Sequence, residues 1–363
     1  MAGFESISPA DAGYDETKLA AAVQFFEDHE SSWPRDLADS NVLPGLNQTE
    51  PPPWNEILGP LKNRDGPAGL LLKDDKIVTS WGDIHNVDLT FSVAKSYLAV
   101  LTGLAVGDGL IDSLDDRVSD QLDIDEFRST QNLQITWRHL LTQTSEWQGT
   151  LFGKPDIVDH NRVVGDGPST AKKGQERRLQ TPGSFYEYND VRVNVLSLAL
   201  LHVFGRELPE VLKERIMGPI GASDTWHWHP YRNAEVMVNG KAMMSVPGGT
   251  HWGGGIWISS VDHARFGLLI SNDGVHEGRR ILPPGWVAQM FSPSPVKADY
   301  GLLWWLNTGG VGFPGLPHTS VMAVGAGSNI IWLEPSRDLL LVARWIDAGA
   351  RNEACKLIMD AQI

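Results

Sequence analysis

The stretch DLTFSVAKSYLAVLTGLAVG, residues 88–107, sets the tightest limit on what this chain can fold into. From Tyr97 to Val106 it is apolar nearly all round, so a helix here has no polar face to turn to water and must be buried between other layers. Yet the helix opens with Ser92 and carries Lys95 one turn later, at i and i+3, which places both on one face. Burying an ammonium is costly unless something compensates it. A lysine that sheds its proton beside a serine hydroxyl is a base beside a nucleophile. A helix N-terminus also offers N–H groups and a positive dipole end to an oxyanion developing at the serine. The plainer alternative is a serine that caps the helix and a lysine whose stem snorkels to solvent.

The rest of the chain supplies layers to bury such a helix. Residues 16–28 have helical spacing with an acidic first turn, and GLLLKDDKIVTSWGDI, 69–84, reads as a hairpin turning at Asp74-Asp75. Residues 31–64 are rich in Pro, Asn and Asp and read as a long irregular segment. Short helices are expected within 110–122, from about Thr136, and over 207–221, with a strongly apolar one at 191–205 ending at Gly205. Residues 153–183 are polar, and their KKGQERR run reads as a solvated loop. Residues 248–274 read as a glycine-rich turn, a strand, and a helix capped by Ser260. Residues 328–346 read as a second apolar hairpin, followed by a terminal helix. Strands therefore lie at both ends and helices in the middle. The expected fold class is α/β (α+β): a lobe built from residues 1–90 and 248–363, a mostly helical lobe from 91–247, and a site between them.

S-x-x-K occurs three times, at Ser92–Lys95, Ser169–Lys172 and Ser294–Lys297. The second lies in the polar loop, and Pro293 and Pro295 make the third extended, so only the first opens a buried helix. TPGSFYEYNDVRVN, 181–194, brings Tyr188 to the start of another apolar helix, where a phenol beside a lysine can shuttle a proton. Tyr231-Arg232-Asn233 lacks that lead and that helix.

Taken in order, FSVAKS, WRHLLTQTSEW, PGSFYEYND, GGGIWISSVDHARFG and VGAGSNIIWLEPSRDLLLV resemble the serine β-lactamase and penicillin-recognising superfamily over roughly residues 65–346. The resemblance is strongest to its class C-like esterase and amidase branch, and the last piece is most similar to 6-aminohexanoate-dimer hydrolase-like proteins. It implies an antiparallel sheet flanked by helices with an inserted all-helical lobe. Ser92 would be the acylated nucleophile, Lys95 its base or relay, and Tyr188 the tyrosine of the Tyr-x-Asn element. The cationic strand motif would fall on Ala323-Val324-Gly325, leaving the Ala326 N–H to join that of Ser92 in an oxyanion hole, with Gly325 and Asp190 at the substrate. Three departures stand out: Ala323 for a cation, Asp190 for the usual asparagine, and Glu146 for a glycine. The first two disfavour substrates that present a carboxylate, since Asp190 would put a negative charge at the mouth of the site.

These readings lead to a serine hydrolase acting on a small uncharged or amine-bearing ester or amide, with no cofactor and no metal. A DD-peptidase or β-lactamase, and a non-catalytic binding protein on the same fold, are the alternatives. With 30 Lys+Arg against 45 Asp+Glu, a net charge of −15, nucleic acid and anionic membranes are not expected partners. The single cysteine, Cys355, excludes an intramolecular disulfide and a zinc-thiolate set. There is no leader-like start and no apolar run of membrane-spanning length, so the expected location is cytoplasmic. His227, His229 and His251 are the candidates for a metal, but TWHWHPYRN reads as aromatic packing. HWGGG, 251–255, is similar to an α/β-hydrolase oxyanion loop but has no G-x-S-x-G to serve. Of 14 tryptophans, one or two among Trp252, Trp257, Trp304 and Trp305 are expected to touch substrate.

Overall fold

The computed structural model describes residues 4–38, 50, 52–164 and 172–363. The first hairpin is β1 (Ala68–Lys73) and β2 (Lys76–Trp81), turning at Asp74 and Asp75, both with positive φ. A short strand β3 (Asp88–Leu89) precedes the buried helix α2 (Ala94–Gly107), and α1 (Glu16–Asp28) precedes them all. The middle of the chain contributes α3 (Trp137–Leu141), α4 (Asp190–Phe204) and the strand β4 (His227–His229). Then come β5 (Gly255–Ile258), α5 (Ser260–Ser271), β6 (Trp305–Leu306), β7 (Val321–Gly325), β8 (Asn329–Glu334), β9 (Leu339–Arg344) and α6 (Arg351–Asp360).

Strands from both ends of the chain form one antiparallel six-stranded sheet in the order β6-β7-β8-β9-β1-β2. The first and last hairpins meet in register, with Leu71 opposite Leu341. Alternation divides their apolar residues between two cores. Leu70, Leu72, Ile331, Leu333, Leu340 and Val342 face the side that holds α2, α4 and α5. Leu71, Ile330, Trp332, Leu339, Leu341 and Ala343 face the side covered by α1 and α6. A sheet covered on both faces explains why these strands read as unbroken apolar runs rather than alternating ones. A second antiparallel sheet, β3-β5-β4, leads the chain into the start of α2.

Most of the expected elements appear where the sequence places them, α4 ending on left-handed Gly205 among them. Three readings need correction. The residue that caps α5 is Ser259, whose hydroxyl accepts from the Asp262 N–H; Ser260 is already helical. The helix over 207–221 is α-helical at Leu208–Leu212 and then widens to a π-helical turn at Lys213–Met217. The KKGQERR run is a loop, exposed at Lys172, Gln175, Glu176 and Arg178, but two of its cations are not solvated. Lys173 is only 11% exposed and pairs with Glu50 and Asp159, and Arg177 is 13% exposed and pairs with Glu146 and Glu187. Carboxylates supplied by other segments draw these cations inward.

Candidate active site

Ser92 does not cap a helix. It sits in a 3-10 turn, Phe91–Val93, that runs directly into α2. Phe91, just before it, is held at φ 48, a left-handed conformation costing on the order of 1–3 kcal/mol for a bulky residue. Its ring is clamped between Trp33 and Trp345, at centroid distances of 5.5 and 6.0 Å, which keeps the strained turn in place. With this geometry the serine side chain is free of backbone capping and accepts instead from Lys95 Nζ at 2.7 Å.

Lys95 is buried, as the apolar surroundings of α2 require. Its ammonium lies 2.7 Å from Asp190 Oδ1, 3.5 Å from the Gly248 carbonyl, and 4.7 Å from the centre of the Tyr188 ring. The serine, the lysine and the tyrosine singled out from sequence are therefore gathered at one point. Tyr188 arrives on the lead into α4, where Asn189 caps the helix through the Arg192 N–H. Its ring stacks on Trp305, 5.6 Å away. Among the tryptophans considered, Trp305 lines the cleft, whereas Trp252 and Trp304 are buried in the core and Trp257 packs on His229.

A cleft of about 520 Å³ opens over Ser92, walled by Tyr188, Trp305, Val324, Gly325 and Ala326 among others. The end of β7 passes so close to the serine turn that only glycine fits. A Cβ on Gly325 would lie 2.2 Å from the Thr90 carbonyl oxygen and 3.2 Å from the Ser92 nitrogen. This contact sets the backbone of Gly325 and Ala326 beside the turn that opens α2 at Ser92, whose N–H groups lack partners within the helix. Gly325→Ala is expected to lower kcat/KM by about 10²–10³-fold, the loss typical of a displaced oxyanion donor. Steady-state kinetics on the folded variant, checked by circular dichroism, tests it.

Asp190 does not stand at the mouth of the site, as the sequence suggested. It is completely buried behind Lys95 and compensated on all sides. Its Oδ2 lies 2.9 Å from His251 Nε2 and 3.5 Å from Arg162. Burial by itself would push this carboxyl up, but the charges of His251, Lys95 and Arg162 outweigh it and hold it well below the usual range. The electrostatic objection to carboxylate substrates therefore loses its second support and rests on Ala323 alone. A pair of glycines permits the close approach of the segment behind the site: a Cβ on Gly248 would strike Leu98, and one on Gly249 would strike Asp190.

The sequence did not single out Arg162, Glu50, Asp159 or Lys297 for the site. Arg162 lies 3.4 Å from Asp159 and spans the Tyr188 ring at 4.9 Å. Lys297, from the third Ser-x-x-Lys, lines the cleft, but its ammonium pairs with Asp299 at 2.7 Å. Ser169 of the second lies outside the described residues. The histidines do not gather as a set: His229 packs at a tilt against Trp257, while His251 joins Glu50 and Asp159, whose ligand-type atoms lie within 4.8 Å of one another. There the Lys173 ammonium, 3.3 Å from Asp159 and against Glu50, already supplies the positive charge. The glycines of HWGGG serve close packing, since a Cβ on Gly253 would lie 2.5 Å from the Gly59 carbonyl oxygen. Glu146 is left-handed, φ 48, which is why a glycine suits that place elsewhere in the resemblance.

The β-lactamase family model matches residues 87–344, most of the chain and all of the side chains at the cleft's floor. The chain belongs to the β-lactamase family. Two curated Mycobacterium tuberculosis relatives, Uncharacterized protein MT1414 (strain CDC 1551) and Protein Rv1367c (strain H37Rv), are each 27% identical over 127 residues. That match spans 31% of this chain and 31% of the length of each relative. Among solved structures, a Bacteroides dorei protein provisionally named a β-lactamase superposes with a TM-score of 0.63 at 19% identity, covering 96% of this chain and 99% of its own. A Bacillus anthracis protein provisionally named a 6-aminohexanoate-dimer hydrolase gives 0.60 at 15%, covering 99% and 87%. EstCE1, a hydrolase with promiscuous acyltransferase activity, gives 0.60 at 16%, covering 95% and 98%. At these identities the likeness is one of fold, a fold shared with hydrolases. No helix among the described residues is long and apolar enough to cross a membrane.

Proposed function

We propose that the protein is a serine hydrolase that cleaves a small ester or amide through an acyl-enzyme on Ser92. The observation that carries this is the placement of Lys95 Nζ, out of solvent, 2.7 Å from Ser92 Oγ and beside the ring of Tyr188, on the floor of an open cleft. Ser92 Oγ attacks the substrate carbonyl while its proton passes to Lys95. The tetrahedral oxyanion is received by the N–H groups of Ser92 and Ala326. The bond to the leaving group breaks, and the proton, relayed by Tyr188, goes to the departing oxygen or nitrogen. Water then attacks the acyl-enzyme, releases the acid and restores the Ser92 hydroxyl.

The division into residues 1–90 with 248–363 and residues 91–247 belongs to the same reading, because the cleft draws its walls from both. Ester and amide substrates without a carboxylate remain preferred, since Ala323 offers no cation from β7. The test is a fluorophosphonate probe followed by mass spectrometry of the Ser92 peptide, run beside turnover of p-nitrophenyl butyrate, nitrocefin and an aminohexanoate-type amide. Labelling at Ser92 with ester turnover is expected. Absence of labelling would sink the nucleophile, and nitrocefin as the best of the three would replace the substrate class by β-lactams.

A further inference from the structure

Behind Lys95 the buried charged groups form one continuous file. Glu50 Oε1 faces His251 Nδ1 at 2.7 Å, His251 Nε2 faces Asp190 Oδ2 at 2.9 Å, and Asp190 Oδ1 faces Lys95 Nζ at 2.7 Å. Nothing in the acylation chemistry by itself calls for the first three. We propose that His251, acting through Asp190, is a positioning residue that governs whether Lys95 is free to take the proton of Ser92. The proposal rests on the reading of Ser92 and Lys95 as nucleophile and base.

Three carboxylates converge behind Lys95, Glu50, Asp159 and Asp190, all fully or almost fully buried. Arg162 and Lys173 bring two positive charges to them. One more positive charge balances the cluster, and a buried imbalance of charge is strongly disfavoured. Two bases flank Asp190 on its opposite oxygens, His251 and Lys95, and either can carry that last proton. If His251 carries it, Lys95 is an amine and can accept from Ser92. If Lys95 carries it, the serine has only an ammonium beside it.

His251 has a partner in each state. Without a proton, Nε2 accepts from Arg162 Nη2 at 2.7 Å; with one, the N–H faces Asp190. Both cannot hold at once, while Nδ1 faces Glu50 in either. Burial and the nearby Arg162 push the imidazole's pKa down, but Asp190 and Glu50 push harder the other way, and it ends raised. Among the described residues, Asp190 itself meets no positive group beyond His251, Lys95 and Arg162. Tyr188 lies under Arg162, and Tyr231 donates to the Gly249 carbonyl with its phenol pushed well above its ordinary value. Lys154 donates to the carbonyls of Trp54 and Glu56; burial pushes it down to about 8, and its charge bears on Glu56 first and on Glu50 second, away from Asp190's own contacts. Where the resemblance leads one to expect an asparagine, this chain has Asp190, and His251 is the counterweight to the charge that exchange adds.

The test follows the pH dependence of kcat/KM for p-nitrophenyl butyrate in His251→Gln, Asp190→Asn and the double variant, with fluorophosphonate labelling of Ser92 as a second readout. Removing the imidazole's positive charge is expected to move the basic-group limb of the profile upward by about one pH unit, a tenfold loss at neutral pH. Asp190→Asn moves the same limb downward, and the double variant brings it back between the two. A limb unmoved in His251→Gln, with only a lowered melting temperature, would make the histidine structural and overturn the proposal. Should His251→Gln fail to fold, an unmoved or rising limb in Asp190→Asn overturns it equally. If the unaltered protein labels at Ser92 and the limbs do not move, this inference alone fails; if it does not label, the hydrolase reading fails first.

Discussion

Lys95→Ala is expected to lower kcat/KM for p-nitrophenyl butyrate by about 10²–10⁴-fold, the range for loss of a positioned general base. Lys172→Ala, in a chemically identical Ser-x-x-Lys, is expected to stay within about twofold, as surface changes remote from a site do. The difference comes from surroundings. Lys95 is 2% exposed in its side chain, touches Ser92 and Asp190, and stands at the head of a helix with no polar face. Lys172 is exposed, and its backbone carbonyl accepts from Asn161 Nδ2. Removing Lys95 leaves Asp190 with His251 and Arg162 as counter-charges, so the variant should remain folded. Equal losses in the two variants would show that Lys95 is not the base.

The parts of this site that could be read from sequence are those carried by local periodicity. Ser92 and Lys95 share a helical face, and the unbroken apolar run behind them forces burial, so their environment follows from the stretch itself. Tyr188 was legible from its place at the start of an apolar helix; Gly325 and Ala326 came from resemblance, and for Gly325 the structure supplies a reason, the Thr90 carbonyl that a side chain would strike. What stayed hidden depends on partners remote in the chain. Asp190 read as a charge at the mouth of the site because it takes the place of the asparagine in the resemblance; the His251 and Arg162 that neutralise it come from 61 residues downstream and 28 upstream. The KKGQERR run read as solvated from its polarity. Polarity implies contact with water only where no buried counter-charge is waiting, and here Glu50, Asp159, Glu146 and Glu187 were. The cap of α5 shows the opposite limit: Ser259 and Ser260 are chemically the same, and only backbone geometry tells them apart.

The largest expected change in stability is at Arg192, on the first turns of α4. Its guanidinium is 1% exposed and serves three acids: Glu146 at 2.8 Å, and Glu187 and Asp156 at 3.4 Å each. Its Nε also donates to the Trp147 carbonyl. Burial pushes the Glu146 carboxyl up, yet Arg177, Arg192 and the Gln180 N–H together hold it below the usual range, so this acid is charged in the interior. Arg192→Ala would leave that charge with Arg177 alone, and breaking a buried pair by removing one partner costs about 3–5 kcal/mol. Arg178→Ala, next to Arg177 but exposed, should change stability by no more than about 0.5 kcal/mol. Denaturant unfolding of the two variants measures both. Replacing Arg192 and Glu146 together with Met and Gln removes the stranded charge along with its partner, and should recover part of the loss. Because Glu187 and Tyr188 lie on the same short lead into α4, Arg192→Ala should also lower ester turnover at temperatures where the variant is still folded. Full activity combined with the full loss of stability would mean that the ion cluster supports the fold without holding the tyrosine.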